Sequence, residues 1–378
     1  MSIKTIHNTK QFSQIVEDKE IYIGVDVHKR TYSVACLCPE KQLMLKYSTT
    51  STNGDFVDEI KELNLNIKEL VYEAGPTGFS LAWACQNSCN IDEQSGDILA
   101  APLPVRVIAP LFAPQAVVKG NKNDSRDAMQ LANLATKPLD LDSCSIAIPS
   151  LSEQNLKELS RLRELAADLK RKAIQRLKSL LLRYGIPFPS ENGQYTKTVG
   201  EQLNNLDVSE DLKYLISDYV DKVEACIKDK EKQEAKLDDA IRNVYPEEQK
   251  ILESIPGVGP IVTNTILGEV FRLTDRFSDK DQLAQYCGAT PIIRESGETS
   301  GKIKGHLIQF CNVHVQPLLV QAAWTFMRCD EIANALYKRK VASGKPSGTA
   351  IMSVVKKLVS LIFSLLKNKR MYEVRSSN

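Results

Sequence analysis

Four carboxylate side chains between residues 26 and 127 have the types and spacing needed to hold a metal ion. Asp26 and Glu73 each end an apolar, β-branched run, where an ionised group is costly unless it has a partner. Asp124 and Asp127 are three residues apart, so on a helix they project from the same face. Carboxylates gathered in this way repel one another unless cations join them. Mg²⁺ suits such a set, because it prefers oxygen ligands and keeps water molecules that a substrate phosphate can replace.

The set predicts phosphoryl-transfer chemistry, since two Mg²⁺ ions can hold both sides of a phosphodiester during displacement. Each acid alone has a simpler explanation. An aspartate at a strand end is commonly a turn residue, Asp124 could cap its helix, and Asp127 could be a first-turn acid favoured by the helix dipole. Together, on two strands and a helix, Asp26, Glu73, Asp124 and Asp127 favour the magnesium site.

The elements that must position these acids form an α/β pattern over residues 1–150. Three strand-like runs in a meander are followed by a helix, a strand, a second helix near Leu81, another strand and a last helix. This order is expected of a ribonuclease-H-like sheet. The predicted strands are residues 20–27, 31–38, 43–48, 67–72 and 105–109, and the main predicted helices are residues 52–63 and 124–134.

Residues 151–245 are predicted to form a helical coiled-coil segment. Residues 151–184 and 208–244 read as two long amphipathic helices, which would pack as an antiparallel hairpin and could also join two copies of the chain. The apolar stripe of the first helix is predicted to be Leu162, Leu165, Leu169, Ala173, Leu177 and Leu180.

Residues 246–378 are predicted to be a separate helical domain. The run IPGVGPIVTNTI at residues 255–266 is typical of a helix-hairpin-helix, whose backbone N–H groups hold a DNA phosphate. A tight helix–helix turn that needs glycine explains it equally well. The polar, glycine-containing run at residues 286–305 could expose a serine nucleophile, and on the residues alone both Ser296 and Ser300 are candidates.

Composition limits the class of protein. The 378 residues are 43% hydrophobic with a net charge of +2, which allows packed cores and does not by itself indicate nucleic acid. The nine cysteines lack C-x-x-C spacing, so we expect reduced thiols. The N-terminus lacks a signal-peptide pattern, and the longest apolar stretch, residues 358–366, is too short to cross a bilayer. We therefore expect a soluble, cytoplasmic protein without a membrane partner.

Basic residues are concentrated in local runs. Such runs are usually solvated faces, but an excess of one sign also suits a nucleic-acid phosphate backbone. The runs comprise Lys157, Arg161, Arg163, Lys170, Arg171, Lys172, Arg176, Lys178 and Arg183 on the first long helix, and Lys302, Lys304, Lys338, Arg339, Lys340 and Lys345 later.

Three segments carry a family resemblance: IGVDVHK at residues 23–29, VYEAGPTG at 71–78 and NDSRDA at 123–128. They resemble the three motifs of the DEDD transposases of the bacterial insertion-sequence 110 family. The segment VIAPLFAPQ before the third motif is also similar to the family, although Asn123 stands where threonine is usual. The resemblance implies a Holliday-resolvase-like (RuvC-like) ribonuclease-H fold, joined to a C-terminal domain that carries a nucleophilic serine.

The resemblance extends to the serine segment. In the family a Gly-x-x-Pro run precedes a Ser-Gly pair and a Gly-His-Ile run follows, which matches residues 288–291, Ser296-Gly297 and residues 305–308. Ser296 therefore corresponds to the family nucleophile, and Ser300 remains the minor candidate. The usual Thr-Lys-x-Gly-Asn run is replaced by residues 309–312, which keep only Asn312. This departure bears on DNA contacts more than on the chemistry.

The resemblance also implies partners. Family members act on DNA, take their target choice from a structured RNA encoded by the element, and join the serine of one protomer to the acids of another. We therefore expect DNA, a guide RNA and a homo-oligomer, dimer or tetramer, as partners. Two alternatives remain: a metal-dependent, resolvase-like nuclease that uses water, and a nucleic-acid-binding protein without catalysis.

Overall fold

The chain divides into two units of packed secondary structure, Met1–Pro149 and Ser150–Asn378. A computed structural model describes residues 3–50, 52–88, 90–91, 98–110, 124–290 and 311–374. The first unit is a mixed α/β fold and the described part of the second is helical, so the expected combination of an α/β part and an all-helical part is confirmed.

A seven-stranded sheet forms the centre of the first unit, with the strand order β1-β4-β3-β2-β5-β8-β9. Strands β2, β3 and β4 form the predicted antiparallel meander, and β5 and β8 continue the sheet parallel to β2. The strands are β1 Lys4–Ile6, β2 Glu20–Val27, β3 Tyr32–Cys38, β4 Leu43–Thr49, β5 Asn66–Glu73, β8 Val105–Ile108 and β9 Ser145–Ile146, with a separate pair β6 Asn90–Ile91 and β7 Ile98–Ala100.

Helices cover both faces of this sheet. Ile23 and Val25 of β2 pack in one core with Phe56 and Leu81, whereas Val71 of β5 packs in another core with side chains of α4 and α5. Because side chains alternate along a strand, the even-numbered residues of β2 and the odd-numbered residues near the end of β5 face α4. The helices are α1 Thr9–Ile15, α2 Asn53–Glu62, α3 Ser80–Gln86, α4 Asp124–Ala135 and α5 Pro138–Cys144.

Two long antiparallel helices begin the second unit. Leu177 of α6 packs in one core with Ile216 of α8, while Leu156 near the start of α6 packs in another with Ile241 near the end of α8. The helices are α6 Leu151–Arg183, α7 Lys197–Asn204, α8 Glu210–Val244, α9 Pro246–Glu253, α10 Pro260–Glu269, α11 Leu273–Arg276, α12 Lys280–Tyr286, α13 Gln316–Cys329, α14 Glu331–Ala342 and α15 Ser347–Lys367.

The predicted stripe of α6 is wrong in its first half. Leu177 and Leu180 are buried as expected, but Leu162, Leu165 and Leu169 are 43%, 53% and 45% exposed. The first half of α6 instead packs on α10, because Gly268 has no side chain and lies close to Leu156 and Ser160. The inward face there is therefore Leu156, Ser160, Arg163 and Ala166.

The glycine-rich turn between α9 and α10 is a tight helix–helix connection. Gly257 has a φ of +87°, and a Cβ there would lie 2.6 Å from the carbonyl oxygen of Ala322 on α13. Glycine is therefore required for both the turn and its packing. Gly259 and Pro260, at the start of α10, are exposed, and the phosphate-holding role of this turn stays a prediction.

Helix α15 is long and apolar enough to cross a membrane by length and composition alone. Its residues Val354, Val355, Leu358 and Ile362 are buried in the core of the second unit. Helix α15, which contains the apolar stretch at residues 358–366, is therefore a core helix of the second unit.

Candidate metal centre and nucleic-acid contacts

Asp26 and Glu73 lie at the ends of neighbouring parallel strands. The register pairs Gly24 with Val71 and Val25 with Tyr72, so Asp26 and Glu73 are the next residues along β2 and β5. Both belong to the positions that face α4. The side chain of Asp26 is 22% exposed and Glu73 is exposed, so both carboxylates can reach solvent or a ligand at this edge of the sheet.

Helix α4 lies directly on β2 because residue 24 is glycine. A Cβ on Gly24 would lie 2.1 Å from the carbonyl oxygen of Ala128 and 2.3 Å from the backbone nitrogen of Ala132. The helix backbone therefore occupies the space that a side chain would fill. Asp127 precedes Ala128 and is half-buried, so this close contact holds Asp127 near the strands that carry the other two acids.

Asp124 is the first residue of α4, one turn before Ala128. Its side chain lies outside the described residues, as do Ser296, Ser300, Lys302, Lys304 and His306. Among the described side chains, which include those of Asp26, Glu73 and Asp127, no three His, Cys, Asp or Glu residues are grouped closely enough to hold a metal ion. The donors offered by Asp26, Glu73 and Asp127 are all carboxylate oxygens, which is the chemistry that fits a hard divalent cation.

Sequence reasoning missed the basic residues beside Asp26. His28 Nε2 lies 3.2 Å from Asp26 Oδ2, and His28, Lys29 and Arg30 line an open cleft of about 840 Å³ with polar side chains of β3, α2 and α3. The signal was present in the motif IGVDVHK, whose last residues follow the strand. A polar and basic cleft beside a carboxylate suits a phosphodiester chain.

In the second unit, a partly buried polar network joins Tyr286 and Asn312, which lie on either side of the serine segment, the residues between them that include Ser296. The Asn312 amide N–H donates to the Tyr286 carbonyl oxygen at 2.8 Å. The Asn312 side chain donates to Glu269 at 3.1 Å and to the Tyr286 hydroxyl at 3.2 Å. Glu269 is fully buried and accepts from Arg161 Nε at 3.0 Å. Asn312 thus anchors the chain where it returns from the residues that include Ser296.

The basic residues of α6 do not form one solvated face. Arg161 pairs with Glu269, Lys172 pairs with Asp168 at 2.6 Å, and Arg163 is buried against Thr265. Arg163 is therefore turned into the protein, whereas Arg161 and Lys172 remain partly exposed while they pair with acids of the chain. Lys338 and Arg339 on α14 and Lys345 after it are exposed, and these remain available to a nucleic acid.

Two family models match the chain in the regions that contain these residues. A model of DEDD transposases of IS110 elements matches residues 23–186, and a model described as the transposase IS116/IS110/IS902 family matches residues 249–338. The chain belongs to the IS110 family of DEDD transposases. The first match includes the four predicted acids and the second includes Ser296, Glu269 and Asn312.

Similarity to curated proteins supports the assignment of this transposase to the family. A putative transposase, y4qE, of Sinorhizobium fredii is 21% identical over 94% of the chain and 91% of the relative. The transposase for insertion sequence element IS1533 of Leptospira borgpetersenii is 29% identical over 67% and 70%. A 44.8 kDa protein of insertion element IS116 from Streptomyces clavuligerus is 28% identical over 32% and 30%. Membership implies DNA cutting and rejoining, and DEDD transposases are generally metal-dependent.

The contact at Gly24 yields a test of how the transposase positions Asp127. Gly24→Ala places a methyl group inside the backbone of α4, so we expect a destabilisation of about 1–3 kcal/mol and loss of DNA cleavage as the helix moves. Gly54→Ala in α2 is the matched control, because a Cβ at residue 54 would lie 4.0 Å from its nearest neighbour in space, Thr52 Oγ1. Chemical denaturation and a cleavage assay measure both; equal behaviour of the two variants would contradict the packing argument.

Proposed function

We propose that this transposase cuts and rejoins DNA by phosphodiester transfer, with Ser296 as the nucleophile and Mg²⁺ bound by Asp26, Glu73, Asp124 and Asp127. The observation that carries the proposal is the convergence of Asp26 and Glu73 on one face of adjacent parallel strands, directly under α4. The family membership supports the reaction class, and the all-carboxylate donor set supports the metal.

The first unit is proposed to be a ribonuclease-H-like, RuvC-like domain. The support is the strand order β4-β3-β2-β5-β8, in which an antiparallel meander is extended by two strands parallel to β2. In open α/β sheets, ligands bind beyond the carboxyl ends of the parallel strands. Asp26 and Glu73 lie at those ends.

In the proposed reaction the Ser296 hydroxyl oxygen attacks a DNA phosphorus atom. The new serine–phosphorus ester forms as the bond to the leaving DNA oxygen breaks, the serine proton passes to solvent, and the leaving oxygen takes up a proton. Mg²⁺, when bound, neutralises charge on the phosphate oxygens. Rejoining reverses these steps, so one phosphate ester replaces another and no external energy source is required.

The proposed partners are DNA, an element-encoded guide RNA and further copies of the chain. The guide RNA rests on the family resemblance alone. Self-association has support on α6, where Leu162, Leu165 and Leu169 form an exposed patch at helical spacing. A second copy that covers this leucine patch would remove it from water and would allow the serine of one protomer to serve the acids of another. We also propose that the protein is cytoplasmic, where its DNA lies.

The acidic site is tested with Asp26→Asn. The amide keeps the size of the side chain but loses its charge, so we expect Mg²⁺-dependent DNA cleavage to fall by at least 100-fold, the scale of losing a catalytic electrostatic group, with an unchanged circular dichroism spectrum. Asp58→Asn, at an exposed position of α2, is the control and should cleave normally. Undiminished cleavage by Asp26→Asn would remove this residue from the site.

The nucleophile is tested by trapping a covalent adduct. The protein is incubated with Mg²⁺ and its DNA, denatured, and examined for DNA that migrates with the protein. Ser296→Ala should abolish the adduct because it removes the attacking oxygen, whereas Ser300→Ala should leave it. The opposite pattern would move the nucleophile to Ser300. Cleavage without an adduct in any active preparation would favour the water-using, resolvase-like nuclease, and no cleavage at all would favour the non-catalytic binding protein.

Self-association is tested at the centre of the leucine patch. Leu165→Glu introduces a charge that a dry interface disfavours, so sedimentation at micromolar concentration should shift towards the monomer. Leu182→Glu is the control, because Leu182 is 79% exposed on the same helix but lies outside the patch. A wild-type chain that sediments as a monomer with full activity would refute the assembly.

A further inference from the structure

Glu269 is surrounded by more positive charge than it neutralises. Its carboxylate is fully buried and is held by Arg161, with Nε at 3.0 Å from Oε1, and by the Asn312 amide at 3.1 Å from Oε2. One arginine therefore balances this acid. Arg276 belongs to the same cluster because its guanidinium lies against the ring of Tyr286, whose hydroxyl accepts from Asn312. Lys157 is near enough for the charges of both arginines to lower its pKa.

Arg276 is held in a fixed position by aromatic rings. Its guanidinium carbon lies 4.6 Å from the ring centre of Phe271, 5.1 Å from that of Phe277 and 4.6 Å from that of Tyr286. Among the described residues, its buried Nη1 atom has no hydrogen-bond acceptor. A buried charged donor without an acceptor is costly. An anionic oxygen that hydrogen-bonds this guanidinium would remove that cost.

The pKa of Lys157 is lowered by its surroundings. Burial lowers its pKa first, and the charges of Arg161 and Arg276 lower it further, while Glu269 and Glu158 oppose the change without cancelling it. Glu158 is exposed and accepts a hydrogen bond from the Gln154 side-chain amide. A lysine that faces two arginines is stabilised in its charged form when an anion joins the cluster.

The cation cluster adjoins described residues on both sides of the segment that contains the proposed nucleophile. Tyr286, whose ring lies against Arg276, accepts the Asn312 amide through its carbonyl oxygen at 2.8 Å. The rings of Tyr286, Phe271 and Phe277 are already occupied by Arg276, so base stacking is not the recognition that this surface offers. Positive charge with fixed donors is the chemistry of contact with a phosphate.

We propose that Lys157, Arg161 and Arg276 form a phosphate-binding site of the second unit that holds the DNA backbone near the described residues that flank the serine segment. The proposal rests on the function proposed above, and DNA is chosen over RNA because the nucleophile of this unit acts on DNA. Contacts of this kind carry no sequence information, so the site positions the strand for reaction and leaves target choice to other contacts.

The test is binding of a short DNA duplex to the full chain at several salt concentrations. Each of Lys157→Gln and Arg276→Gln removes one phosphate contact, so the slope of log K against log salt should fall in magnitude by about 1. Affinity at low salt should fall on the order of tenfold for any duplex sequence. Arg276→Lys keeps the charge and should keep the slope. Lys228→Gln, an exposed lysine of α8, is the control and should match the wild type in both quantities.

Two other outcomes would contradict the proposal of a phosphate-binding site. An unchanged slope with a lowered thermal midpoint would mean that these cations pair with acids of the chain itself. A slope that falls for an RNA duplex and not for DNA would reject DNA as the occupant. Failure of the wild-type protein to bind DNA would instead contradict the proposed function. This outcome is distinct from failure of the phosphate-binding site, because it is seen with the wild type before any variant is measured.

Discussion

The first unit depends on one close approach, the backbone of α4 against the backbone of β2 at Gly24. Because nothing larger than a hydrogen atom separates Gly24 from Ala128 and Ala132, the helix can lie across the strand that carries Asp26. The flanking apolar side chains then pack around this contact, with Leu131 and Leu134 over Val71 of the neighbouring strand. The position of the acids is therefore a matter of backbone geometry first and of side-chain chemistry second.

The second unit also depends on a close helix contact at a glycine. Gly268 lets α10 approach α6, and the surface between the two helices includes polar pairs, with Arg163 against Thr265 and Arg161 against Glu269. Buried polar pairs of this kind add less to stability than apolar packing does, but they tolerate few alternative arrangements. We infer that the register of α10 on α6 is specified by these pairs, and with it the place of Asn312.

Strong local patterns predicted most of the fold. The strand at residues 20–27 was expected with the bounds it has, and the helices near residues 124–134 and 151–184 agree within a residue, because their periodicity is long. Strand β1 and helix α1 were missed, since each is short and mixed in polarity. The leucine stripe of α6 failed because its inward face is chosen by Gly268, a contact that no periodicity records.

Part of the candidate site could likewise be predicted from the sequence, and part of it could not. The positions of Asp26 and Glu73 followed from strand ends, which are visible in the sequence. Glu269 and Arg276 carried no periodic or motif signal, and Asn312 was marked only by the family resemblance. Their partners are brought together from distant parts of the chain; Arg161 and Glu269 are 108 residues apart. Chemistry built from such long-range pairs becomes apparent only in three dimensions.

The boundary between the two units has a practical consequence for dissecting the protein. The DEDD family signature runs to residue 186, but the first unit ends at Pro149, and α6 packs with helices of the second unit. A fragment that ends with the family signature would contain the 33-residue helix α6 without the helices of the second unit that pack on it. Leu156, Leu177 and Leu181 would then be exposed. Such a fragment would aggregate through that helix, whereas one that ends at residue 149 keeps the whole sheet and its covering helices.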